Sequence, residues 1–185
     1  MKCIILSAGY GTRLGTLTKD RPKPMIEVGG RPVIEHIITR LNIHGIHDII
    51  VNLHYLPGIV SEYLGNRVIY FYEPRLLGHH GTLMALKNWL LPDDRFMVIN
   101  GDTITDVNYT SMMEFHEVKT ITAYMDDWRS AGTWIYDASY FTNSDLSVRP
   151  YREHCFWADV GTPDRLEAAR RYFDEPKTVN SMPSL

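Results

Sequence analysis

Short apolar segments alternate with amphipathic helical patterns through the first hundred residues, and this alternation constrains the fold more than any other feature. Strands are predicted over residues 2–7, 48–53, 68–72 and 95–100. The helices between them are predicted over residues 30–45, 57–64 and 81–90. Because each strand is a nearly continuous apolar run, we expect parallel strands covered on both faces. The pattern therefore predicts an α/β fold: a Rossmann-like, mostly parallel sheet with helices on both faces, in a single domain.

The alternation changes after Asp102. A short helix is predicted over residues 109–116 and a strand over residues 120–125. Residues 133–136 form a further predicted strand, antiparallel or at an edge of the sheet, and an apolar edge there would be available for a homo-oligomer. A last helix is predicted to begin at Thr162 and Pro163, since proline suits the first turn of a helix. We expect a domain over residues 1–173 and a flexible tail over residues 174–185.

The composition argues against several classes of function. Lysine and arginine together number 19, lie scattered along the chain and leave a net charge of −3, so we expect no nucleic-acid partner. No apolar stretch approaches the roughly 20 residues of a membrane span, and no secretory leader is recognisable, so we expect no membrane partner. Cys3 and Cys155 have no zinc-binding spacing. We therefore expect buried free thiols and a cytoplasmic, reducing environment.

The first predicted strand ends in the glycine-rich loop SAGYGTRL (residues 7–14), and RPKPM (residues 21–25) follows closely. Such a loop lies at the carboxyl edge of a parallel sheet, where glycines let backbone N–H groups approach phosphate oxygens. Arg13 adds a planar set of donors for a polyphosphate, and Lys23, between two prolines, adds a compact positive charge. A dinucleotide-binding fingerprint is disfavoured because Leu14 stands where its third glycine is required. The Gly-Lys-Ser/Thr of a P-loop is also missing from this segment.

Two carboxylates are candidates for a metal site. Asp102 follows the fourth predicted strand in an Asn-Gly-Asp turn, and Asp159 ends an apolar segment just before the last helix. Magnesium favours one or two carboxylates together with substrate phosphates, so the pair predicts a Mg²⁺ site beside the glycine-rich loop. A plain turn at Asp102, without a metal, is the alternative for that motif taken alone.

Together these motifs resemble the sugar-1-phosphate nucleotidyltransferases, which carry GxGTRL and PKP sequences, an Asp in a GD turn and an Asp in a W-x-D-x-G-T-P stretch. A softer similarity begins at Glu73: residues 73–82 keep two glycines of the family's E-x-x-LGTAGAL stretch but carry His79 and His80 between them. The resemblance is strong through Asp102 and patchy from there to residue 173. The family's Glu-Lys-Pro segment, which binds the sugar, has no counterpart in this sequence. The chain is therefore identified as a short form of the family.

The resemblance implies a Mg²⁺-dependent enzyme that condenses a nucleoside triphosphate with a sugar 1-phosphate, giving a nucleotide sugar and pyrophosphate. Arg13 and Lys23 would be catalytic: Arg13 on the leaving pyrophosphate, Lys23 on the acceptor phosphate and the α-phosphate. Asp102 and Asp159 would bind the metal. The nucleotide-binding residues that it implies are Ala8, Gly9, Gly11, Thr12, Arg13, Glu73, Leu77, Gly78, Gly81 and Asp102.

The sequence leaves alternatives open. A small non-sugar phosphate, such as phosphocholine, could replace the sugar 1-phosphate as the acceptor, and Asp126 and Asp127 could either contact that acceptor or form an acidic turn. A non-catalytic, nucleotide-binding regulatory subunit is a third hypothesis, although such subunits usually lose the arginine, the lysine or a metal-binding aspartate. The base is not identified, because His79 and His80 could stack on it, bond to it or face solvent.

Overall fold

A seven-stranded sheet organises the residues that the computed structural model describes, which are 1–126, 129–143 and 145–174. The strands, in chain order, are β1 (Lys2–Leu6), β2 (Glu27–Val28), β3 (Arg31–Pro32), β4 (Asp48–Leu53), β5 (Ile69–Tyr72), β6 (Arg95–Asn100), β7 (Thr103–Thr105), β8 (Thr120–Asp126), β9 (Arg129–Asp137), β10 (Ser147–Tyr151) and β11 (Trp157–Asp159). The helices are α1 (Val33–Ile43), α2 (Pro57–Leu64), α3 (Gly78–Ala85), α4 (Lys87–Leu90), α5 (Tyr109–Phe115) and α6 (Pro163–Asp174).

The strand order is β10-β8-β9-β6-β1-β4-β5, and β9 is the strand that runs against its neighbours on both sides. β1 pairs in parallel with β4 and β6, so Lys2 lies opposite Asp48 on one side and Phe96 on the other. The expected mostly parallel sheet is therefore confirmed. Two short antiparallel ribbons, β2–β3 and β7–β11, lie outside the main sheet.

The alternation of side chains along the buried strands supplies a core on each face of the sheet. On one face, Cys3 and Ile5 of β1 belong to a cluster with apolar residues of α1, α2, α5 and α6. On the other face, Ile4 packs in a cluster with Leu83 of α3 and Leu90 of α4. Helices thus cover both faces, as the sequence predicts. This cover leaves the ends of the strands as the places where loops can meet a ligand.

The helix predicted over residues 81–90 differs from the structure. It begins earlier, at Gly78, and is divided into α3 and α4 at Leu86, whose backbone departs from helical angles. Of the two alternatives for residues 133–136, the antiparallel one is confirmed and the edge one is wrong, because β9 runs antiparallel to β6 on one side and to β8 on the other. Trp134 therefore offers no edge for a homo-oligomer; β5 and β10 are the edge strands.

The last helix begins at Pro163, as predicted, and extends to Asp174. Of the tail predicted over residues 174–185, Asp174 belongs to α6 and residues 175–185 lie outside the described residues, as does Asp127. Cys3 is a buried free thiol, as expected, whereas the free thiol of Cys155 is only partly buried. Among the residues that the structure describes, no helix has the length and apolar character needed to cross a membrane.

Candidate functional site

A cleft opens at the carboxyl ends of β1 and β6, which lie side by side in the sheet. Both strands end on the same edge, with Leu6 opposite Asn100, and their loops leave from that edge. The cleft has a volume of about 210 Å³. Its lining residues are Leu6, Ser7, Gly9, Gly11, Lys23, Pro24, Asn100, Gly101 and Asp102. The glycine-rich loop, the PKP segment and the Asn-Gly-Asp turn thus meet where parallel sheets bind ligands.

Two glycines of the cleft differ in the space that a side chain would find. A Cβ atom on Gly101 would collide with the Ser7 hydroxyl and would lie 2.8 Å from the Leu6 carbonyl oxygen, so the close approach of β1 and β6 excludes a side chain there. The Gly101 N–H donates to that same carbonyl at 2.8 Å. At Gly9, by contrast, a Cβ atom would meet no protein atom within 4 Å. Gly9 therefore exposes its backbone to open space inside the cleft.

The Ser7 hydroxyl is a buried polar atom without a hydrogen-bond partner among the described residues. Ser7 lines the cleft, and its backbone N–H is already held by the Asn52 side chain at 2.6 Å. A buried hydroxyl that lacks a partner carries a desolvation penalty, which a polar ligand in the cleft would relieve. This orphaned group is consistent with a ligand site.

Lys23 and Asp102 form an ion pair across the cleft. The Lys23 ammonium donates to Asp102 Oδ2 at 2.7 Å, and the two side chains are 14% and 18% exposed. The 3₁₀ turn Lys23–Met25 follows the extended Pro22 and includes Pro24, so the backbone that carries the ammonium is stiff. The structure therefore brings together a predicted catalytic lysine and a predicted metal ligand that are 79 positions apart.

Asp159 reaches the same end of the molecule through the β7–β11 ribbon. It lies opposite Thr103, and the Val160 N–H donates to the Asp102 carbonyl oxygen at 2.9 Å. The Asp159 carboxylate accepts from the Gly161 N–H and from Arg165 Nη1, the latter at 2.7 Å. The ribbon register thus explains how two aspartates from distant loops come close.

Arg13 lies beside this ribbon. Its Nη2 atom is 3.1 Å from where a Cβ atom on Gly161 would stand, next to Asp159 Oδ1. Its side chain is exposed, so its guanidinium is available to an anion at this end of the molecule. Arg13, Lys23, Asp102 and Asp159 therefore belong to one neighbourhood.

The donor chemistry of this neighbourhood fits magnesium. Asp102 and Asp159 offer carboxylate oxygens, and each is neutralised by a cation of the protein, Lys23 and Arg165 respectively. Within the described ranges, no three His, Cys, Asp or Glu side chains gather into a larger cluster. Mg²⁺ is usually bound by one or two carboxylates, with water and phosphate oxygens as its remaining ligands, and seldom by protein ligands alone. A pair of carboxylates therefore suits it.

Glu73 is buried, and its carboxylate contacts protein groups. Oε1 accepts from Asn52 Nδ2 at 2.9 Å and from the Thr82 hydroxyl at 2.5 Å, and Oε2 accepts from the Leu77 N–H at 3.0 Å. The direct nucleotide contact implied for Glu73 stays a prediction. Asn52 belongs to none of the sequence motifs, and its signal is that of a polar residue near the end of the apolar strand DIIVNL.

His79 and His80 turn toward aromatic residues. His79 Nε2 lies 2.9 Å from the Tyr136 hydroxyl, and its ring meets the edge of Trp134. Burial lowers the pKa of His79 below its ordinary value. His80 Nδ1 lies 2.6 Å from the Tyr140 hydroxyl. Both imidazoles therefore have protein partners, although His80 is also exposed to solvent. The alternatives of stacking on a base and bonding to it stay open.

The family model "Nucleotidyl transferase" matches residues 2–134. A mannose-1-phosphate guanyltransferase of Yarrowia lipolytica is 37% identical over 125 residues, which are 63% of this chain and 34% of that protein. A glucose-1-phosphate cytidylyltransferase of Salmonella typhimurium is 29% identical over 144 residues, 63% of this chain and 56% of that protein. The chain thus spans between a third and somewhat over half of the length of these curated relatives.

Solved structures share the fold. HddC from Yersinia pseudotuberculosis, complexed with GMP-PN, superposes with a TM-score of 0.77 at 20% identity, covering 94% of this chain and 99% of that one. A UDP-glucose pyrophosphorylase from Acinetobacter baumanii gives a TM-score of 0.78 at 16% identity, covering 93% and 92%. At these identities the likeness establishes the architecture alone. Because the family model covers most of the sequence, including the cleft residues from Ser7 to Asp102, the chain belongs to the nucleotidyl transferase family.

Proposed function

We propose that the protein transfers the nucleotidyl group of a nucleoside triphosphate to a sugar 1-phosphate, releasing pyrophosphate. The observation that carries this proposal is the Lys23–Asp102 ion pair in the cleft of the glycine-rich loop. Two anionic substrates that react with each other need a cation between them, and Lys23 is assigned that role because it lines the cleft with Gly9 and Gly11 of the loop. Family membership supports the same chemistry.

In the proposed reaction, an oxygen of the acceptor phosphate attacks the α-phosphorus while the bond from that phosphorus to the β-phosphate oxygen breaks. Pyrophosphate leaves with the electron pair. The attack requires little help from a base, because a phosphate monoester is largely ionised near neutral pH. Positioning and charge neutralisation by the protein are then the main contributions to the rate.

Each site residue has a proposed task in this reaction. The backbone of Ala8, Gly9, Gly11 and Thr12 would bind the triphosphate, as glycine-rich loops at strand ends do. Lys23 would hold the acceptor phosphate and the α-phosphate together, and Arg13 would stabilise the charge on the leaving pyrophosphate. The segment with Leu77, Gly78 and Gly81 would face the nucleoside.

Asp102 and Asp159 are the residues that would hold Mg²⁺, which supplies neutralisation of the triphosphate charge when it is bound. In the structure Lys23 bonds Asp102 and Arg165 bonds Asp159, each through Oδ2 of the aspartate. Lys23 is thereby held beside the carboxylate that would bind the ion, within the cleft proposed for the phosphates.

The relatives do not agree on the acceptor or the base. One is named for mannose 1-phosphate and a guanylyl group, and another for glucose 1-phosphate and a cytidylyl group. One observation keeps a small non-sugar phosphate as the second candidate. β8 ends at Asp126 and β9 begins at Arg129, so the chain has no room there for a large acceptor-binding insertion. The free thiols of Cys3 and Cys155 suit the cytoplasm, where we propose that the enzyme acts.

Pyrophosphate release tests the proposal. The protein is incubated with Mg²⁺, each of the five common nucleoside triphosphates, and a panel of sugar 1-phosphates and of non-sugar phosphates that includes phosphocholine. We expect release with one triphosphate and one sugar 1-phosphate. Release only with a non-sugar phosphate supports the second candidate. Binding of a triphosphate without release from any pair contradicts both and identifies a regulatory subunit.

A further inference from the structure

Glu73 lies just after β5, and its carboxylate is 4% exposed and surrounded by neutral hydrogen-bond donors. One oxygen, Oε1, accepts from Asn52 Nδ2 and from the Thr82 hydroxyl, and the other, Oε2, accepts from the Leu77 N–H. Asn52 in turn accepts the Ser7 N–H through Oδ1 at 2.6 Å. A continuous row of hydrogen bonds therefore joins the backbone of Ser7 to the backbone of Leu77.

The directions of the hydrogen bonds in this row, from donor to acceptor, require a carboxylate at position 73. Both ends are backbone N–H groups, which can only donate. The Asn52 amide accepts from Ser7 on one side and donates on the other. The next member must therefore accept from Asn52 and also accept from Leu77, and among the side chains of this size only an ionised carboxylate accepts at both oxygens. An amide at position 73 would place an NH₂ group where an acceptor is needed. Flipping the amide of residue 73 or of Asn52 only moves the conflict, so that two donors still face each other at one point of the row.

The two ends of the row begin the two segments proposed to bind the nucleotide. Ser7 opens the glycine-rich loop and lines the cleft. Leu77 immediately precedes α3, and the following Gly78 has a positive φ of 70°. Thr82 lies in α3, so its hydroxyl, which donates to Oε1, ties that helix to the same carboxylate. Glu73, which is not among the residues that line the cleft, is thus bonded to both segments.

We infer that Glu73 is a positioning residue, a double acceptor that fixes the distance and orientation between the glycine-rich loop and the segment at Leu77–Gly81. The inference rests on the proposed function, because it takes both segments as parts of one nucleotide site. It assigns to Glu73 an action through Asn52 and the backbone, in place of the direct contact with the nucleotide that the family resemblance implies. The carboxylate orders the two segments before the ligand arrives, which reduces the ordering that binding requires.

The test exploits the polarity of the row with three variants. Glu73→Gln keeps the shape of the side chain but introduces the donor conflict. Glu73→Gln combined with Asn52→Asp removes the conflict: the carboxylate placed at position 52 would accept from Ser7 and from the new amide, whose oxygen still accepts from Leu77. Asp137→Asn is the matched control, because the Asp137 carboxylate is also buried and accepts a backbone N–H, but it lies opposite Arg95 at the other end of β6. Calorimetry measures the binding of each nucleoside triphosphate with Mg²⁺.

We expect Glu73→Gln to weaken triphosphate binding at least tenfold, and the double variant to restore it to within about threefold of the wild type. Asp137→Asn should leave the affinity unchanged while lowering the melting temperature. Wild-type affinity in Glu73→Gln would overturn the inference, as would a double variant no better than the single one. If Glu73→Gln does not fold, the double variant carries the test, because it is expected to fold and to bind.

Amide hydrogen exchange of the protein without ligand separates this inference from the proposed function. The Ser7 and Leu77 amides should exchange slowly in the wild type, at least tenfold faster in Glu73→Gln, and slowly again in the double variant. If no triphosphate binds to the wild type, the proposed function fails, while this exchange pattern still decides whether Glu73 joins the two segments. Unchanged exchange in Glu73→Gln would contradict the row itself.

Discussion

Replacement of Gly9 by alanine should separate the requirements of the fold from those of the ligand. A Cβ atom at this position meets no protein atom within 4 Å, and the backbone angle is one that other residues adopt. Alanine should therefore leave the fold intact and stabilise it by about 0.4–1 kcal/mol, because the unfolded chain loses freedom. For a chain of this length, that gain raises the melting temperature by roughly 1–4 °C.

The same methyl group would stand in the cleft of about 210 Å³ where the backbone is proposed to approach the triphosphate. We expect Gly9→Ala to weaken triphosphate binding at least tenfold, which is a loss of about 1.4 kcal/mol. Differential scanning calorimetry measures the stability, and isothermal titration calorimetry with Mg²⁺ and each triphosphate measures the affinity.

Gly101→Ala is the contrasting variant. Its Cβ would lie 2.8 Å from the Leu6 carbonyl oxygen, where ordinary contacts lie at 3.4–4 Å, so the backbone must move. Overpacking of this kind costs about 1–3 kcal/mol and should lower the melting temperature by roughly 2–12 °C. Triphosphate binding by Gly9→Ala as tight as that of the wild type would show that the backbone of Gly9 does not approach the ligand, and a loss of stability equal to that of Gly101→Ala would show that the fold itself requires Gly9.

Three further predictions follow from the site and the core. Lys23→Met should lower turnover by about 10²–10³-fold with an unchanged circular dichroism spectrum, whereas the exposed Lys19→Met should stay within about twofold; equal losses would remove Lys23 from catalysis. Asp159→Asn should raise the Mg²⁺ concentration for half-maximal activity at least tenfold, and an unchanged Mg²⁺ titration would exclude Asp159 as a ligand. Burial lowers the pKa of His79, so the unfolded chain binds the extra proton and stability falls as the pH drops below about 6.5. His79→Gln should therefore reduce the fall in melting temperature between pH 7.5 and pH 5.5; an undiminished fall would show that His79 does not contribute.

The parts of the fold that the sequence predicts well are those encoded by local patterns. The strands at β1, β4 and β6 are apolar runs bounded by turn residues, so their places in the chain are clear without any knowledge of their partners. The sequence pattern does not predict β10, because SVRPY lacks an apolar run and contains Pro150. Proline is tolerated in a strand at an edge of the sheet, and β10 is an edge strand. The position of β9 between β6 and β8 depends on long-range pairing, which no local pattern encodes.

In the candidate site, too, some features can be predicted from local motifs and others depend on the assembled fold. The glycine-rich loop, Lys23 and the two aspartates follow from motifs and from the rule that loops meet at the carboxyl edge of a parallel sheet. The ion pair of Asp159 with Arg165 and the bonds of Asn52 with Glu73 depend on side-chain directions that only the assembled structure supplies. The β7–β11 ribbon, which carries Asp159 to Asp102, consists of strands of three residues, too short for a recognisable pattern.

If this cleft joins a nucleotidyl group to a phosphorylated acceptor, ³¹P nuclear magnetic resonance should detect the product. The wild type and Lys23→Met are each incubated with Mg²⁺, the triphosphate that binds and the panel of acceptor phosphates. We expect new diphosphate resonances of a nucleotide-linked product, together with an equal amount of pyrophosphate, for the wild type and almost none for Lys23→Met. Triphosphate that stays intact with every acceptor, or a product formed equally by both proteins, would rule out this reaction at Lys23.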